Sequence, residues 1–185
     1  MARTPSVDAV RPATCPGCGA GSRPTGGRLV LHGHGLRERQ LRGLRAPFEP
    51  PALLALLARR YACQRCGAVL LVVPAAVAPR RLFDVATIAF ALARWRHDGV
   101  ASDAVRAEVS PLRFVGDSAR RAWSQIRRWA RHAAEILRPP RPVASCGSVV
   151  VSTLAVLEAV AATAPLSLAH RPVAERAFAA MATAR

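Results

Sequence analysis

The 185-residue sequence contains no lysine and no asparagine, so all 27 of its basic residues are arginine. This composition indicates a coding bias toward Arg, Ala and Pro, and the choice of arginine over lysine therefore has little functional weight. Acidic residues are also scarce: 11 aspartates and glutamates leave a formal net charge of +16. That shortage is harder to attribute to coding bias. The excess of positive charge predicts a polyanionic partner, most often nucleic acid.

The carboxylates are too few and too scattered to indicate a catalytic site. Metal-dependent nucleases hold Mg²⁺ with two or three converging carboxylates, yet the only acids in residues 140–185 are Glu158 and Glu175. Five further acids fall at predicted helix ends and turns, where capping or solvated roles are expected: Asp84, Asp98, Asp103, Glu108 and Asp117. The sequence also shows no Ser/His/Asp grouping and no phosphate-binding loop. We therefore expect neither enzymatic activity nor a small-molecule substrate.

No segment has the character of a secretion signal or a membrane span. The N-terminus lacks the apolar stretch of a signal peptide. Residues 143–164 form an apolar run of about the length that a membrane span needs. Glu158, the scattered Ser and Thr and the many small residues argue against insertion, so we expect a core or helix-pairing segment. The predicted location is the cytoplasm, in association with the nucleoid.

Four of the five cysteines form two C-x-x-C pairs, Cys15 with Cys18 and Cys63 with Cys66. Each pair makes a tight turn that aims two thiolates at one point, and four such sulfurs complete a tetrahedron around Zn²⁺. Each pair is followed directly by a glycine, which reaches positive φ without steric cost and lets backbone N–H groups face the sulfurs. The pattern predicts a structural zinc site with these four cysteines as ligands.

Other uses of these residues fit the sequence less well. A disulfide framework would need an oxidising compartment, and a thioredoxin-like motif uses one C-x-x-C at the start of a helix. His32 or His34 could replace a cysteine as ligand, but four thiols already fill the coordination shell. Cys146 stands apart from the pairs and is expected to be an ordinary small buried residue.

The chain is predicted to be an α+β protein in four segments: a disordered lead-in at 1–12, a zinc ribbon at 13–75, a helix-turn-helix-like region at 82–138 and a C-terminal helical pair at 143–185. In the ribbon, residues 28–35 are predicted to form a strand ending in a Gly-rich turn, and 36–42 the returning strand. Residues 53–63 and 69–73 form the second predicted hairpin. A ribbon this small buries too little surface to fold alone, so the metal is expected to provide the folding energy, about 10–16 kcal/mol in comparable peptides.

Three helices are predicted after the ribbon: 83–97, 103–109 capped by Ser102, and 118–138. The third has one apolar face, made of Trp123, Ile126, Ala130, Ala133 and Leu137. Arginines occupy much of its remaining surface: Arg120, Arg121, Arg127, Arg128, Arg131 and Arg138. Such a helix is predicted to pack on its neighbours and to contact DNA phosphates or guanines. The alternative is a core helix with a solvated basic face. Trp123 and Trp129 are expected to be core anchors.

Residues 13–135 resemble a known family. A C-x-x-C-G knuckle, an "H-G" turn, a long basic strand and Arg59-Arg60-Tyr61 before a second C-x-x-C-G are similar to the N-terminal zinc ribbon of bacterial insertion-sequence transposases. In that family the ribbon precedes a helix-turn-helix, and together they hold the terminal DNA of the element. The resemblance implies that Arg59 and Arg60 contact the DNA backbone. The catalytic domain of the family would not fit in the remaining residues.

Duplex DNA is therefore the expected partner, and the resemblance implies the DNA-recognition part of a transposase. Two other functions use the same features. A zinc-ribbon transcription regulator would differ in the sequence bound, and a zinc-stabilised protein-interaction module would bind DNA weakly and with little salt dependence. The apolar tail, including a last predicted helix at 171–185, either closes the core or forms the face of a homodimer.

Overall fold

The sheet at the start of the chain has three strands, which a computed structural model places at Leu31–Gly43 (β1), Ala52–Cys63 (β2) and Val69–Val72 (β3). The strands are antiparallel in the order β1-β2-β3. The structure describes residues 4–78, 81–117, 121–139 and 148–183. Helices follow the sheet, and the predicted α+β class is confirmed.

Six α-helices lie in these described ranges: α1 (Val85–Arg96), α2 (Ser102–Val109), α3 (Ser124–Arg131), α4 (Ala133–Leu137), α5 (Val149–Ala161) and α6 (Val173–Thr183). A single 3-10 turn, Leu166–Leu168, connects the last two. The chain divides into two compact units that are discontinuous in sequence. The N-terminal unit comprises Met1–Gln40 and Ala55–Pro74, and the helical unit comprises Leu41–Leu54 and Ala75–Arg185.

The first predicted hairpin is wrong. Instead of turning at Gly33 and Gly35, the chain continues as one strand from Leu31 to Gly43. Gly35 has a φ of +80°. Glycine adopts this conformation within a strand without steric cost because it has no Cβ. The reversal lies between β1 and β2, where Phe48 adopts a φ of +63°. The predicted strands at 53–63 and 69–73 are confirmed, and Arg59 pairs with Val72 across them.

Helix α1 is the centre of the helical unit, and each of the other five helices packs against it. Its sequence contains four Ala and neither Gly nor Pro, and nine consecutive residues from Val85 to Ala93 are buried. Asp84 begins the helix by accepting a hydrogen bond from the backbone N–H of Thr87 at 2.7 Å. Burial raises the pKa of Asp84, although the two hydrogen bonds from Thr87 act in the opposite direction. The helix ends at Arg96, one residue before the predicted end, and Gly99 follows with a φ of +71°.

An aromatic cluster fixes α3 against the start of α1. The ring of Trp129 lies 5.1 Å from that of Phe83 and 4.9 Å from that of Trp123, in edge-to-face geometry. Such pairs each contribute about 0.5–1.5 kcal/mol beyond the burial of their surface. Trp123 and Trp129 are both buried, which confirms them as core anchors. Ser102 does not cap α2; its hydroxyl accepts a hydrogen bond from the N–H of Trp123 at 3.1 Å instead.

The single helix predicted at 118–138 is broken in the structure. Residues 121–123 are not helical, and α3 begins at Ser124. A second break, at His132, separates α3 from the short α4. The predicted apolar face is nevertheless confirmed, because all five of its residues are buried. Arg138 ends α4 with a φ of +44°.

The tail helices close the core of the helical unit. α6 packs along α1 and α5, and it buries Phe178 and Met181, while α5 buries Val156, Leu157 and Val160. The apolar run at 143–164 therefore contributes core packing in its described part. Within the described residues, no helix is both long and apolar enough to cross a lipid bilayer.

Gly43 occupies a position where no side chain fits. A Cβ there would collide with the Asp84 carboxylate and the Thr87 hydroxyl. These groups are already held in place, because the Thr87 hydroxyl donates to Asp84 at 2.9 Å and accepts from the N–H of Leu44 at 2.9 Å. The end of β1 can therefore approach the start of α1 only if its last residue is glycine.

We expect Gly43→Ala to lower the free energy of unfolding of the helical unit by about 1–3 kcal/mol, because the added methyl group must displace the Asp84–Thr87 pair. Denaturant unfolding followed by circular dichroism measures the loss. Gly21→Ala is the matched control, since no atom lies within 4 Å of the position that its Cβ would take. Equal stability of the two variants would contradict the close approach at Gly43.

Candidate metal centre and nucleic-acid interface

The two cysteine knuckles have the same backbone geometry. In the first, the N–H of Gly19 donates to the Cys15 carbonyl at 2.8 Å, and in the second the N–H of Gly67 donates to the Cys63 carbonyl at 2.9 Å. The φ angles of the two glycines are +69° and +73°. This confirms the predicted need for glycine after each pair, since only glycine takes this conformation without strain.

The knuckles bring four sulfurs together. The Sγ atoms of Cys15 and Cys66 are 3.7 Å apart, and those of Cys18 and Cys63 are 3.8 Å apart. All four lie within 4.8 Å of one another. With metal–sulfur bonds of about 2.3 Å, a regular zinc tetrathiolate has sulfur–sulfur distances of about 3.8 Å. The donor set and its spacing therefore fit a tetrahedral metal ion, with two ligands buried and two exposed.

The neighbouring thiols favour ionisation of Cys63 and oppose that of Cys66. Burial disfavours the thiolate of Cys63, yet the backbone N–H groups of Cys66 and Arg65 donate to its sulfur and lower its pKa to about 7. At Cys66 the N–H of Ala68 favours the thiolate, but the neighbouring Cys63 sulfur and burial prevail and raise its pKa to about 12. Several thiolates at this distance need a cation among them, because their charges otherwise repel.

Apart from this cluster, the N-terminal unit has little to hold it together. Around the cysteines, the buried hydrophobic cluster consists of Cys15, Leu31 and Cys63, with Val30, Ala68 and Leu70 packed against them. The other buried apolar residues of the described part of this unit are Ala20, Ala58 and Tyr61, so two of six are themselves metal-ligand candidates. The helical unit, in contrast, has a hydrophobic cluster of 29 buried residues in the part of the chain that the structure describes. A metal ion would therefore contribute a large part of the stability of the N-terminal unit.

The alternative ligands and pairings take no part in the cluster. The four cysteines are free thiols rather than disulfides. His32 is exposed, and its Nε2 lies 2.8 Å from the Leu29 carbonyl. His34 is exposed as well, and neither histidine belongs to the metal-ligand group found among the described residues. Cys146 lies outside those residues.

The lead-in expected to be disordered makes specific contacts in its described part. The hydroxyl of Tyr61 donates to the Val7 carbonyl, and the Arg11 guanidinium lies 5.6 Å from the centroid of the Tyr61 ring. Asp8 forms ion pairs with Arg11 and Arg23, and these two guanidinium groups hold its pKa below the usual value. Sequence reasoning missed this packing. The signal available was Tyr61, the only tyrosine of the chain, whose aromatic surface and hydroxyl both require partners.

The two arginines suggested by the family resemblance do not form one surface. Arg59 and Arg60 are adjacent in β2, so their side chains project from opposite faces of the sheet. Both are half-buried, and the Nε of Arg59 donates to the Pro5 carbonyl at 2.9 Å. Arg59 therefore has a role in fixing the N-terminal segment, whatever else it contacts.

The arginines of α3 do form one surface. Ile126, Trp129 and Ala130 are buried, and the guanidinium-bearing residues of the opposite side are exposed: Arg127, Arg128 and Arg131. Arg121, just before the helix, is exposed as well, whereas Arg120 lies outside the described residues. We call Arg127, Arg128 and Arg131 the α3 arginine face. Because the apolar side of α3 is buried and its arginine side is exposed to solvent, the arginines are accessible to a polyanion.

No protein-family model, curated protein or solved structure matches the chain. The functional conclusion therefore depends on the geometry of the cysteine cluster and of the α3 arginine face.

Proposed function

We propose that this protein binds duplex DNA without catalysing a reaction on it, through the α3 arginine face and with a structural Zn²⁺ in its N-terminal unit. The single observation that supports this most is the segregation of α3: one side is buried, and the other presents three arginines to solvent. The net charge of +16 favours a nucleic-acid partner. The architecture is similar to that expected for the DNA-recognition region of an insertion-sequence transposase.

The dimensions of α3 suit a major groove. An α-helix with its side chains is about 10–12 Å in diameter, and the major groove of B-DNA is about 12 Å wide. No acidic residue lies within α3, so all of its charged side chains are positive. Arginine pairs with a phosphate or with guanine through two parallel hydrogen bonds, and exposed side chains on one helix face can make several such contacts at once.

Helix α2 is less suitable than α3 as the recognition helix. Its one arginine, Arg106, is buried and lies 4.3 Å from the centroid of the Phe114 ring. Its remaining charged residues are Asp103 and Glu108, which a phosphate would repel. The connection from α2 to α3, residues 110–123, is also longer than the turn of a compact helix-turn-helix. We therefore assign groove contact to α3.

The metal has an architectural role in this proposal. Bound Zn²⁺ would hold the two knuckles together and order the N-terminal unit, whose exposed arginines include Arg28, Arg37 and Arg65. These side chains would add sequence-independent contacts to the DNA backbone. A four-thiolate site leaves no open coordination position for substrate or water, as is typical of structural zinc.

Fluorescence anisotropy with a labelled duplex, measured across a salt series, tests the proposal. We expect affinity to fall steeply with salt, because each neutralised phosphate contributes about 0.9 to the slope of log K against log salt. Removing Zn²⁺ with a chelator is expected to weaken binding, because the contacts of the N-terminal unit are lost with its fold. Absence of binding at moderate salt, or a slope close to zero, would overturn the proposal.

A protein-interaction module is the second candidate, and exposed apolar residues of the sheet favour it. Leu57, Val69 and Leu71 are between 38% and 53% exposed, although side chains of this type usually pack. A zinc-stabilised sheet of this kind could bind a protein partner. The salt series separates the two functions, because such a module would bind DNA weakly and with little dependence on salt.

A further inference from the structure

The first cysteine knuckle has an arginine at each of its ends. The two arms of the knuckle are joined where the N–H of Ser22 donates to the Ala13 carbonyl at 2.8 Å. Arg11 lies two residues before Ala13, and Arg23 directly follows Ser22. The turn that positions the first two thiols therefore also determines how close these two arginines lie to each other.

A carboxylate oxygen lies between the two guanidinium groups. Oδ1 of Asp8 accepts a hydrogen bond from Nη2 of Arg11 at 2.7 Å and another from Nη2 of Arg23 at 2.5 Å. Asp8 is the only acidic residue before Glu38, so without it this part of the chain would carry positive charges alone. The two arginines are thus arranged around one anionic oxygen.

Arg11 is held in place before any ligand arrives. Its side chain is only 9% exposed. One end of the guanidinium donates to the Leu31 carbonyl, and the group lies 5.6 Å from the centroid of the Tyr61 ring. Its Nη2 is directed at Asp8 instead. A donor fixed in this way loses little conformational freedom when it binds an anion.

Arg23 and the carboxylate are accessible from solvent. Their side chains are 64% and 70% exposed, and an ion pair as exposed as this contributes little to stability. The site opens into a cleft of about 420 Å³, which is lined by Asp8, Arg11, Pro12, Ala13, Ser22 and Arg23. Clefts that hold small ligands usually have volumes of about 300–1,000 Å³. An external anion can therefore reach the place that the Asp8 oxygen occupies.

The N-terminal segment does not depend on Asp8 alone for its position. The Tyr61 hydroxyl donates to the Val7 carbonyl, and Nε of Arg59 donates to the Pro5 carbonyl. The Asp8 side chain can therefore turn away while the segment stays on the sheet. A phosphodiester that replaced it would offer two charged oxygens, and arginine binds such a pair of oxygens through two parallel hydrogen bonds.

We propose that Arg11 and Arg23 form a binding site for a backbone phosphate of duplex DNA, and that Asp8 occupies this site in the free protein until DNA displaces it. This inference rests on the proposed DNA binding and adds to it a contact in the N-terminal unit, outside the α3 arginine face. A phosphate contact carries no sequence information, so Asp8 lowers the affinity for every duplex alike.

The test measures anisotropy of a labelled duplex across a salt series with zinc-loaded wild-type protein and Asp8→Asn. Asparagine keeps the shape of the side chain and removes the competing charge, so we expect binding to be about two-fold to five-fold tighter. Glu38→Gln is the matched control, because it removes one negative charge from an exposed residue of the same unit. We expect its affinity to change much less. If Asp8 only stabilises the fold, Asp8→Asn will bind DNA no better than the wild-type does.

A double-mutant cycle shows whether the gain passes through the arginines. Arg23→Gln is expected to weaken binding and to lower the salt slope by about 0.9. In the Arg23→Gln background, the gain from Asp8→Asn is expected to fall to that of Glu38→Gln.

The outcomes separate this inference from the proposed function. Salt-dependent binding by the wild-type, together with an Asp8→Asn gain that is absent or that persists without Arg23, would overturn this inference alone. A wild-type protein that does not bind DNA would overturn the proposed function, and this inference with it. Zinc content and circular dichroism check the fold. If Asp8→Asn does not fold, the exposed substitution Arg23→Gln decides, because an unchanged salt slope would overturn the site.

Discussion

Cys63→Ser, or removal of the metal by a chelator, is expected to unfold the N-terminal unit and leave the helical unit folded. Among the described residues, the N-terminal unit has six buried apolar residues, two of which are cysteines of the cluster. The binding energy of structural Zn²⁺, about 10–16 kcal/mol in comparable peptides, exceeds what so small a core can replace. The measurement combines zinc content by atomic spectroscopy with two-dimensional amide NMR. We expect β-strand amide signals to collapse while those of the helices keep their dispersion.

The matched control is Cys146→Ser, which removes the one thiol outside the two C-x-x-C pairs. It is expected to bind one metal ion per chain as the wild-type does. Persistent strand signals after chelation would show that the N-terminal unit is stable without metal. Loss of metal in Cys146→Ser would show that the fifth cysteine contributes to the site.

Replacing the α3 arginine face by glutamine, in the triple variant Arg127→Gln, Arg128→Gln and Arg131→Gln, is expected to weaken DNA binding by about 100-fold to 1,000-fold. Three phosphate or guanine contacts are lost at once, and the salt slope is expected to fall by about three times 0.9. The fold is expected to survive, since all three side chains are exposed. Anisotropy across a salt series gives both quantities.

A control with the same change in charge separates a specific face from net charge. Arg45, Arg113 and Arg171 are exposed residues of the helical unit and lie outside α3. Their joint replacement by glutamine removes the same three charges. We expect this control to reduce affinity far less than the α3 variant does. Equal losses in the two triple variants would contradict the assignment of DNA contact to α3 and would indicate a diffuse electrostatic attraction.

The metal site could be predicted from the sequence because its information is local. A C-x-x-C followed by glycine specifies the turn, the direction of both thiols and the required positive φ within five residues. The structure then needs only to bring two such turns together. The pairing of β2 with β3 was predictable because the second knuckle lies between them, and the buried face of α3 was predictable from its hydrophobic periodicity.

Features that depend on distant residues were not predictable in the same way. Gly33 and Gly35 have the composition of a hairpin turn, but β1 runs through them, and its neighbour in the sheet is β2. The break at His132 is also not encoded by Gly or Pro, although the apolar positions on both sides of it are buried as the pattern predicts.

The segment Leu41–Leu54 has a consequence for dissecting this protein into fragments. It lies in sequence between the two cysteine knuckles, yet it belongs to the helical unit, where the ring of Phe48 meets that of Phe90 at 5.3 Å. A fragment beginning at Ala75 would therefore lack part of its own core, and one ending at Pro74 would keep a loop without the surface that it covers. Neither unit can be excised by a single cut in the chain. In a series of truncations, a variant that has lost its fold would therefore be mistaken for one that has lost a functional residue. Point substitutions, rather than truncations, are the appropriate means of assigning roles in this chain.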